Sequence, residues 1–314
     1  MRIVYMGSPD FAVPSLMRLL DSRHIIAGVV TQPDRAKGRG GELAATPVKR
    51  EAIAAGLCVF QPENVNTAES VAYISAWQPD AIITVAFGQL LKEPLLELAP
   101  KGAINIHASL LSAYRGAAPI HRAIINGETK TGVTSMFMDK GMDTGDMILC
   151  QETDILPDDD AGMLHDKLAD LGAELLITTL DVIEAGSAPR TKQNDATATY
   201  APLLKSEDEV IDWQREAREL YDQIRGLAPW PVAYTIYKGK RLKVHKAAYC
   251  AENCRGGNLP PAFGMITAID EDGIWIQTGK GQLCLKKVQP EGKAKMSAAE
   301  FTRGYRPQIG EIMM

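Results

Sequence analysis

Short runs rich in branched and aromatic residues alternate with helical patterns through the first half of the chain, the rhythm of βαβ units wound around a mostly parallel sheet. Strands are expected at residues 2–6, 25–31, 81–86, 103–107, 131–138 and 147–153. After the first, Ser8-Pro9 reads as a cap followed by proline, opening a helix whose apolar face carries Phe11, Leu16, Leu19 and Leu20. Further helices fit 47–55, 68–77 and 119–126. A long periodic stretch at 161–185, with Leu164, Leu168, Leu171, Leu175, Ile177 and Leu180, stops before Gly186, as a C-terminal glycine predicts. Beyond it the chain turns polar and loses its period (Ser187-Ala188-Pro189-Arg190-Thr191-Lys192-Gln193-Asn194-Asp195), which reads as an exposed connection between domains. One helical pattern near 214–227 then precedes five short β-rich runs at 232–237, 242–249, 263–269, 274–278 and 283–288, the number a small barrel needs. At 314 residues the chain exceeds the usual single-core size, so two domains are expected. The fold class is therefore α/β, with a Rossmann-like, mostly parallel sheet over 1–188, a linker at 189–208, and a smaller OB-like C-terminal β-barrel over 209–314.

Several function classes drop out early. Gly7, Pro9 and Asp10 break the opening run too soon for a secretory segment, and no stretch approaches the roughly 18 apolar residues of a membrane helix. A cytoplasmic protein without a membrane partner is expected. The five cysteines are an odd number without C-x-x-C spacing, and only Ala251, Glu252 and Asn253 separate Cys250 from Cys254. Reduced thiols follow. His24, His121, His165 and His245 show no metal-ligand spacing, so no metal is expected. Gly7-Ser8-Pro9-Asp10-Phe11 lacks the dinucleotide fingerprint, no Walker pattern appears, and a tight strand-to-helix turn accounts for Gly7.

The net charge of −5 hides an asymmetry: residues 1–205 carry −7 and the remainder +2. Between Arg225 and Arg306 there are 14 Lys and Arg against 6 Asp and Glu. A barrel bearing Lys243, Lys246, Lys286, Lys287 and Lys293 has the charge to track a phosphate backbone. A solvated lysine-rich surface reads the same way from composition alone.

The chemistry centres on the strand Ala103-Ile104-Asn105-Ile106-His107, where alternation sends Asn105 and His107 to one face. They stand at the carboxyl end of a parallel strand, the edge at which open α/β sheets place ligand crevices. A polar loop from Asp139 to Asp146 contains Asp143 and two glycines that let backbone approach a ligand. Amide-forming acyl transfer needs a neutral amine, a stabilised tetrahedral oxyanion and a proton for the departing nitrogen. An imidazole, an amide donor and an orienting carboxylate supply these without a covalent nucleophile. Taken alone, His107 also fits a structural strand-end histidine and Asp143 a turn residue.

At these residues, and over nearly its whole length, the sequence resembles the folate-dependent formyltransferases, in particular the two-domain kind that acts on methionyl-tRNA. The resemblance is carried by Gly7-Ser8-Pro9-Asp10-Phe11, Thr31-Gln32-Pro33-Asp34-Arg35, Asn105-Ile106-His107, Ser109-Leu110-Leu111, Arg115-Gly116-Ala117-Ala118-Pro119-Ile120 and Met142-Asp143-Thr144-Gly145-Asp146. Ile211-Asp212-Trp213, Pro229-Trp230-Pro231 and Gly292-Lys293 extend it into the second domain. It implies formyl transfer from 10-formyltetrahydrofolate to the α-amino group of methionine on initiator tRNA, with Asn105, His107 and Asp143 catalytic. It further implies a folate site at Ser109, Leu110 and Leu111 with Phe87, Gly88, Gln89 and Leu90, and a basic loop for tRNA at Arg35, Lys37 and Arg39. A monomer is expected. Three positions depart from the family pattern: Ser112 and Lys92 stand where proline is usual, and Gly41-Glu42 where lysine is commoner. The rival readings are a formyltransferase for another amine, such as an amino sugar nucleotide, and a non-catalytic RNA-binding protein.

Overall fold

The computed structural model describes residues 1–37, 42–255 and 262–314. In chain order the first part runs β1 (Arg2–Gly7), α1 (Val13–Leu20), β2 (Ile25–Val30), the hairpin β3 (Arg35–Lys37) and β4 (Glu42–Ala44), α2 (Pro47–Ala54), β5 (Val59–Phe60) and α3 (Ala68–Ser75). It continues with β6 (Ala81–Val85), α4 (Glu93–Leu96), β7 (Ala103–His107), α5 (Pro119–Ile125), β8 (Lys130–Phe137), β9 (Met147–Asp154) and α6 (Ala161–Glu184). Seven strands form one sheet in the order β5-β2-β1-β6-β7-β8-β9. Pairing is parallel from β5 to β7 and antiparallel from β7 to β9. Ile3, Val4, Tyr5 and Met6 of β1 are fully buried, because a central parallel strand is covered on both faces and so reads as a continuous apolar run. Strand order reverses between β1 and β6, and a crevice at such a point opens at the carboxyl ends of the strands.

The expected strands and long helices of this sheet are present, with local differences. Ser8 does not cap a helix: a short 3-10 turn at Asp10–Ala12 intervenes, and α1 begins at Val13. The Ser8 hydroxyl instead donates to the Phe87 carbonyl and accepts from the Gln32 amide, tying together the ends of β1, β2 and β6. The β3–β4 hairpin, β5 and α4 were not foreseen; each is two to four residues long, too short to establish a period.

The second part comprises α7 (Ala217–Gly226), β10 (Tyr234–Tyr237), β11 (Lys240–Cys250), β12 (Ile266–Ile269), β13 (Ile274–Gln277), β14 (Gln282–Pro290), β15 (Met296–Ser297) and α8 (Ala298–Tyr305). Its antiparallel sheet has the order β10-β11-β14-β13-β12, with β15 beside β14. The last residues join its two edge strands: Ile236 of β10 and Met314 exchange both backbone hydrogen bonds, and Met313 and Glu311 bond to Gly264 and Ile266 beside and in β12. Leu242, Val244, Ile276, Leu283 and Phe301 fill the interior. Asp222 on α7 is buried between Arg225 at 2.6 Å and Arg218 at 2.8 Å, and Arg225 also donates to the Asp159 carbonyl. A buried carboxylate is tolerable only with that degree of pairing.

By packing, the chain divides into two compact units. One contains Met1–Pro119, Lys130–Asp154 and His165–Ala201; the other contains Ile120–Thr129, Ile155–Leu164 and Pro202–Met314. Cys250 and Cys254 are joined as a disulfide, where reduced thiols were expected; the turn after β11 brings their Cα atoms to 6.5 Å, inside bridging range. Among the described residues no helix is long and apolar enough to cross a membrane.

Candidate active site

β6 and β7 pair in a register that sets Thr84 directly beside Asn105. The Thr84 hydroxyl donates to Asn105 Oδ1 at 2.8 Å. With its oxygen occupied, the Asn105 amide turns its nitrogen outward, where Nδ2 lies 3.5 Å from Asp143 Oδ1. His107, two residues on and on the same face, is 6 % exposed. Its Nε2 donates to the Tyr114 carbonyl at 3.0 Å, and its Nδ1 faces Asp143 Oδ2 at 3.6 Å. The last separation is too long for a hydrogen bond, and such catalytic contacts commonly tighten only around substrate.

Asp143 reaches this point from the turn between β8 and β9. Its backbone is left-handed at φ 54°, and its Oδ2 accepts the Gly116 N–H at 2.9 Å. Asp139 closes the same turn by accepting from the Gly141 amide and the Thr144 hydroxyl. At Gly145 any Cβ would collide with the Phe137 carbonyl, so the residue type there is dictated by close approach. All three expected catalytic side chains thus converge at the carboxyl end of β7. Sequence reasoning missed Thr84, the Gly116 amide and the Tyr114 carbonyl. Only Thr84 left a signal, as a lone hydroxyl in the apolar β6 run.

The residues expected to hold folate lie around this cluster in different states. Ser109 is buried, its hydroxyl donating to the Ala113 carbonyl, so it shapes the loop from within. Leu110 and Leu111 are half-buried, and the Leu111 amide donates to Thr134 Oγ1. Phe87 packs into the core; Gly88, at φ 88°, and Leu90 are exposed; Gln89 accepts from the Val65 amide. The edge from 87 to 90 therefore offers backbone and the Leu90 side chain rather than the Phe87 ring.

Of the basic loop, Arg39 lies outside the described residues. Arg35 is exposed, 3.7 Å from Glu63, and the backbone of Lys37 pairs in the β3–β4 hairpin. Asp34 anchors that hairpin: the Lys49 ammonium at 2.6 Å, then Gln61, hold its carboxyl below the usual range. In the second unit Lys246 and Lys287 sit opposite each other on β11 and β14, and both are exposed. Among the described residues no ion pair involves Lys246, Lys287 or Lys293, whereas Lys286 pairs with Asp272 and Lys243 donates to the Pro231 carbonyl. Burial lowers the pKa of His245 on β11, and the charges of Lys295, Lys243 and Lys287 lower it further, the mark of an unneutralised positive field. Among the described residues one group has the proximity for a metal, His24, Asp181 and Glu184. Arg23 and the Met1 amine already occupy its carboxylates.

The comparisons with known proteins bear on which chemistry this cluster serves. The family described as "Formyl transferase" matches residues 1–180, and "Formyl transferase, C-terminal domain" matches 203–306. The chain belongs to the formyl transferase family. Relatives within it include the methionyl-tRNA formyltransferase of Moorella thermoacetica, 47 % identical over all of this chain and 99 % of its own length. That of Geobacter metallireducens is 47 % identical over 98 % and 97 %. Among solved structures, the N-formyltransferase of Helicobacter canadensis with folinic acid and dTDP-3-aminofucose superimposes with a TM-score of 0.66 at 19 % identity, covering 92 % of this chain and 98 % of its own. The methionyl-tRNA formyltransferase of Clostridium thermocellum gives 0.55 at 16 %, covering 79 % and 93 %. At such identities the structures speak for the fold alone. The formyl transferase fold is accordingly a mostly parallel sheet followed by a smaller antiparallel half-barrel.

Proposed function

We propose that this formyl transferase moves the formyl group of 10-formyltetrahydrofolate onto the α-amino group of methionine esterified to initiator tRNA. The observation that carries the reading is the convergence of Asn105, His107 and Asp143 at the carboxyl end of β7, in a chain alignable end to end with methionyl-tRNA formyltransferases. The neutral amine attacks the formyl carbon and a C–N bond forms. Asn105 Nδ2, turned outward by Thr84, donates to the oxygen as it gains negative charge. His107 handles the proton that the amine loses and the folate nitrogen takes up when its bond to the carbon breaks, and Asp143 orients the ring. The products are tetrahydrofolate and the formylated methionyl-tRNA.

In this reading the unit of Met1–Pro119, Lys130–Asp154 and His165–Ala201 carries the chemistry, and the unit that includes Pro202–Met314 holds tRNA. Folate lies along Ser109, Leu110 and Leu111 and the edge from Phe87 through Gly88 and Gln89 to Leu90. Arg35, Lys37 and Arg39 meet the acceptor end, and Lys243, Lys246, Lys286, Lys287 and Lys293 meet phosphates. The enzyme acts as a cytoplasmic monomer without a metal. The test is labelled formyl transfer to initiator and elongator methionyl-tRNA side by side. Transfer confined to the initiator species supports the reading. Equal transfer to both, or transfer only to a small amine such as an amino sugar nucleotide, sinks it. His107→Ala should abolish turnover while tRNA binding survives.

A further inference from the structure

The polar stretch after α6 is fastened to both loops of the active site. Thr191 exchanges backbone hydrogen bonds with Met147, the Asn194 amide donates to the Ser112 hydroxyl, and the Tyr114 amide donates to the Thr199 hydroxyl. Arg115 and Ala201 complete the seam, with Arg115 N–H on the Thr199 carbonyl and Ala201 N–H on the Arg115 carbonyl. At its centre, Gln193 Nε2 donates to the Asp143 carbonyl at 2.7 Å and to the Gly145 carbonyl at 2.9 Å. Gln193 Oε1 accepts from Arg115 Nε at 2.9 Å. Arg115 is itself only 2 % exposed and is held by Asp195 at 2.8 Å. One amide thus spends both N–H groups on the turn that presents Asp143, and its oxygen on the loop that presents Gly116 and Tyr114.

We infer that Gln193 is a positioning residue, setting where the Asp143 carboxylate stands relative to Gly116, Asn105 and His107. The inference rests on the catalytic reading of Asp143. Two independent contacts on a turn whose central residue is left-handed determine its height above the sheet. The carboxylate is 2.9 Å from one partner and 3.6 Å from another, so a displacement approaching 1 Å exchanges or loses them. Displacements of that size cost on the order of 100-fold in rate when they reach reacting groups.

The experiment is steady-state formyl transfer by the full chain in Gln193→Ala, Gln193→Glu, Asp143→Ala and the Gln193→Ala/Asp143→Ala double variant, with melting temperatures. Gln193→Glu keeps an acceptor for Arg115 and removes both donors, so it spares the seam while releasing the Asp143 turn. The expected result is kcat lowered about 10- to 100-fold in both Gln193 variants, with KM for donor and tRNA within about twofold. Within an Asp143→Ala background, Gln193→Ala should then cost little more, because the group it positions is gone. Equal fractional losses in both backgrounds would mean a purely structural role and overturn the proposal. Unchanged kcat in Gln193→Glu, folded as the wild type and alongside an impaired Asp143→Ala, overturns the proposal alone. Unimpaired Asp143→Ala overturns the reading of the site and the proposal with it.

Discussion

Thr84 has one proton to give, and giving it to Asn105 Oδ1 decides which end of that amide turns toward Asp143. Thr84→Val keeps the shape and removes the proton, so the amide can turn over and present oxygen where a donor is needed. We expect about a tenfold lower kcat with KM for tRNA unchanged, the scale of one hydrogen bond; an unaltered kcat would remove Thr84 from the mechanism. At His245 the sign of a pH effect follows from its lowered pKa. Below the ordinary value of about 6.5 the unfolded chain takes up a proton that the folded one resists, so stability is full above that pH and falls as acid is added, down to the folded pKa. His245→Gln should flatten the melting temperature between pH 7.5 and 5.5, where the wild type declines; parallel curves would refute this. At this scale Asn105 and His107 were legible from strand alternation. Asp143 was not, because a carboxylate in a turn has several local uses and its position beside His107 depends on a Gly116 amide 27 residues away in sequence.

β11 and β14 show what an element can carry that a single residue cannot. Lys246 and Lys287 face each other across the pair, and like charges directly opposite destabilise a sheet unless something else gains from them. If that gain is phosphate binding, Lys246→Ala and Lys287→Ala together should reduce the slope of log affinity for tRNA against log salt by about 2, one for each contact, with kcat at saturating tRNA preserved. An unchanged slope would assign these lysines to solvent. The helix α8 makes the opposite point. Phe301 is fully buried and stacks on Tyr305, but Glu300, Thr302, Arg303 and Gly304 around it hide any apolar stripe, so sequence reasoning passed the helix by. Phe301→Ala should cost about 3–5 kcal/mol, read by denaturant unfolding. The antiparallel β8 and β9 were foreseen as strands, since period shows a strand and not its direction. The polar run 187–195, within a connection drawn to residue 208, was read as exposed because its residues are polar. It is largely exposed, and its polar groups also supply partners to the loops carrying Ser112, Arg115 and Asp143.

For the whole molecule, the interleaving of the two units was not legible from composition. Residues 120–129 and 155–164 look like ordinary parts of the first domain but pack with Pro202–Met314, and they bring buried Ile124, Ile155 and Leu164 with them. A fragment ending at residue 188 leaves these side chains without their partners. It should be recovered mainly as aggregate or bind a hydrophobic dye, where the full chain does neither; a monodisperse, dye-silent fragment would show that the first unit closes on its own. The same interleaving governs how such proteins can be recombined. A chimera meant to transplant the second unit from a relative has to exchange three stretches of chain together. A single crossover in the linker would seat a foreign core on residues selected for the old one.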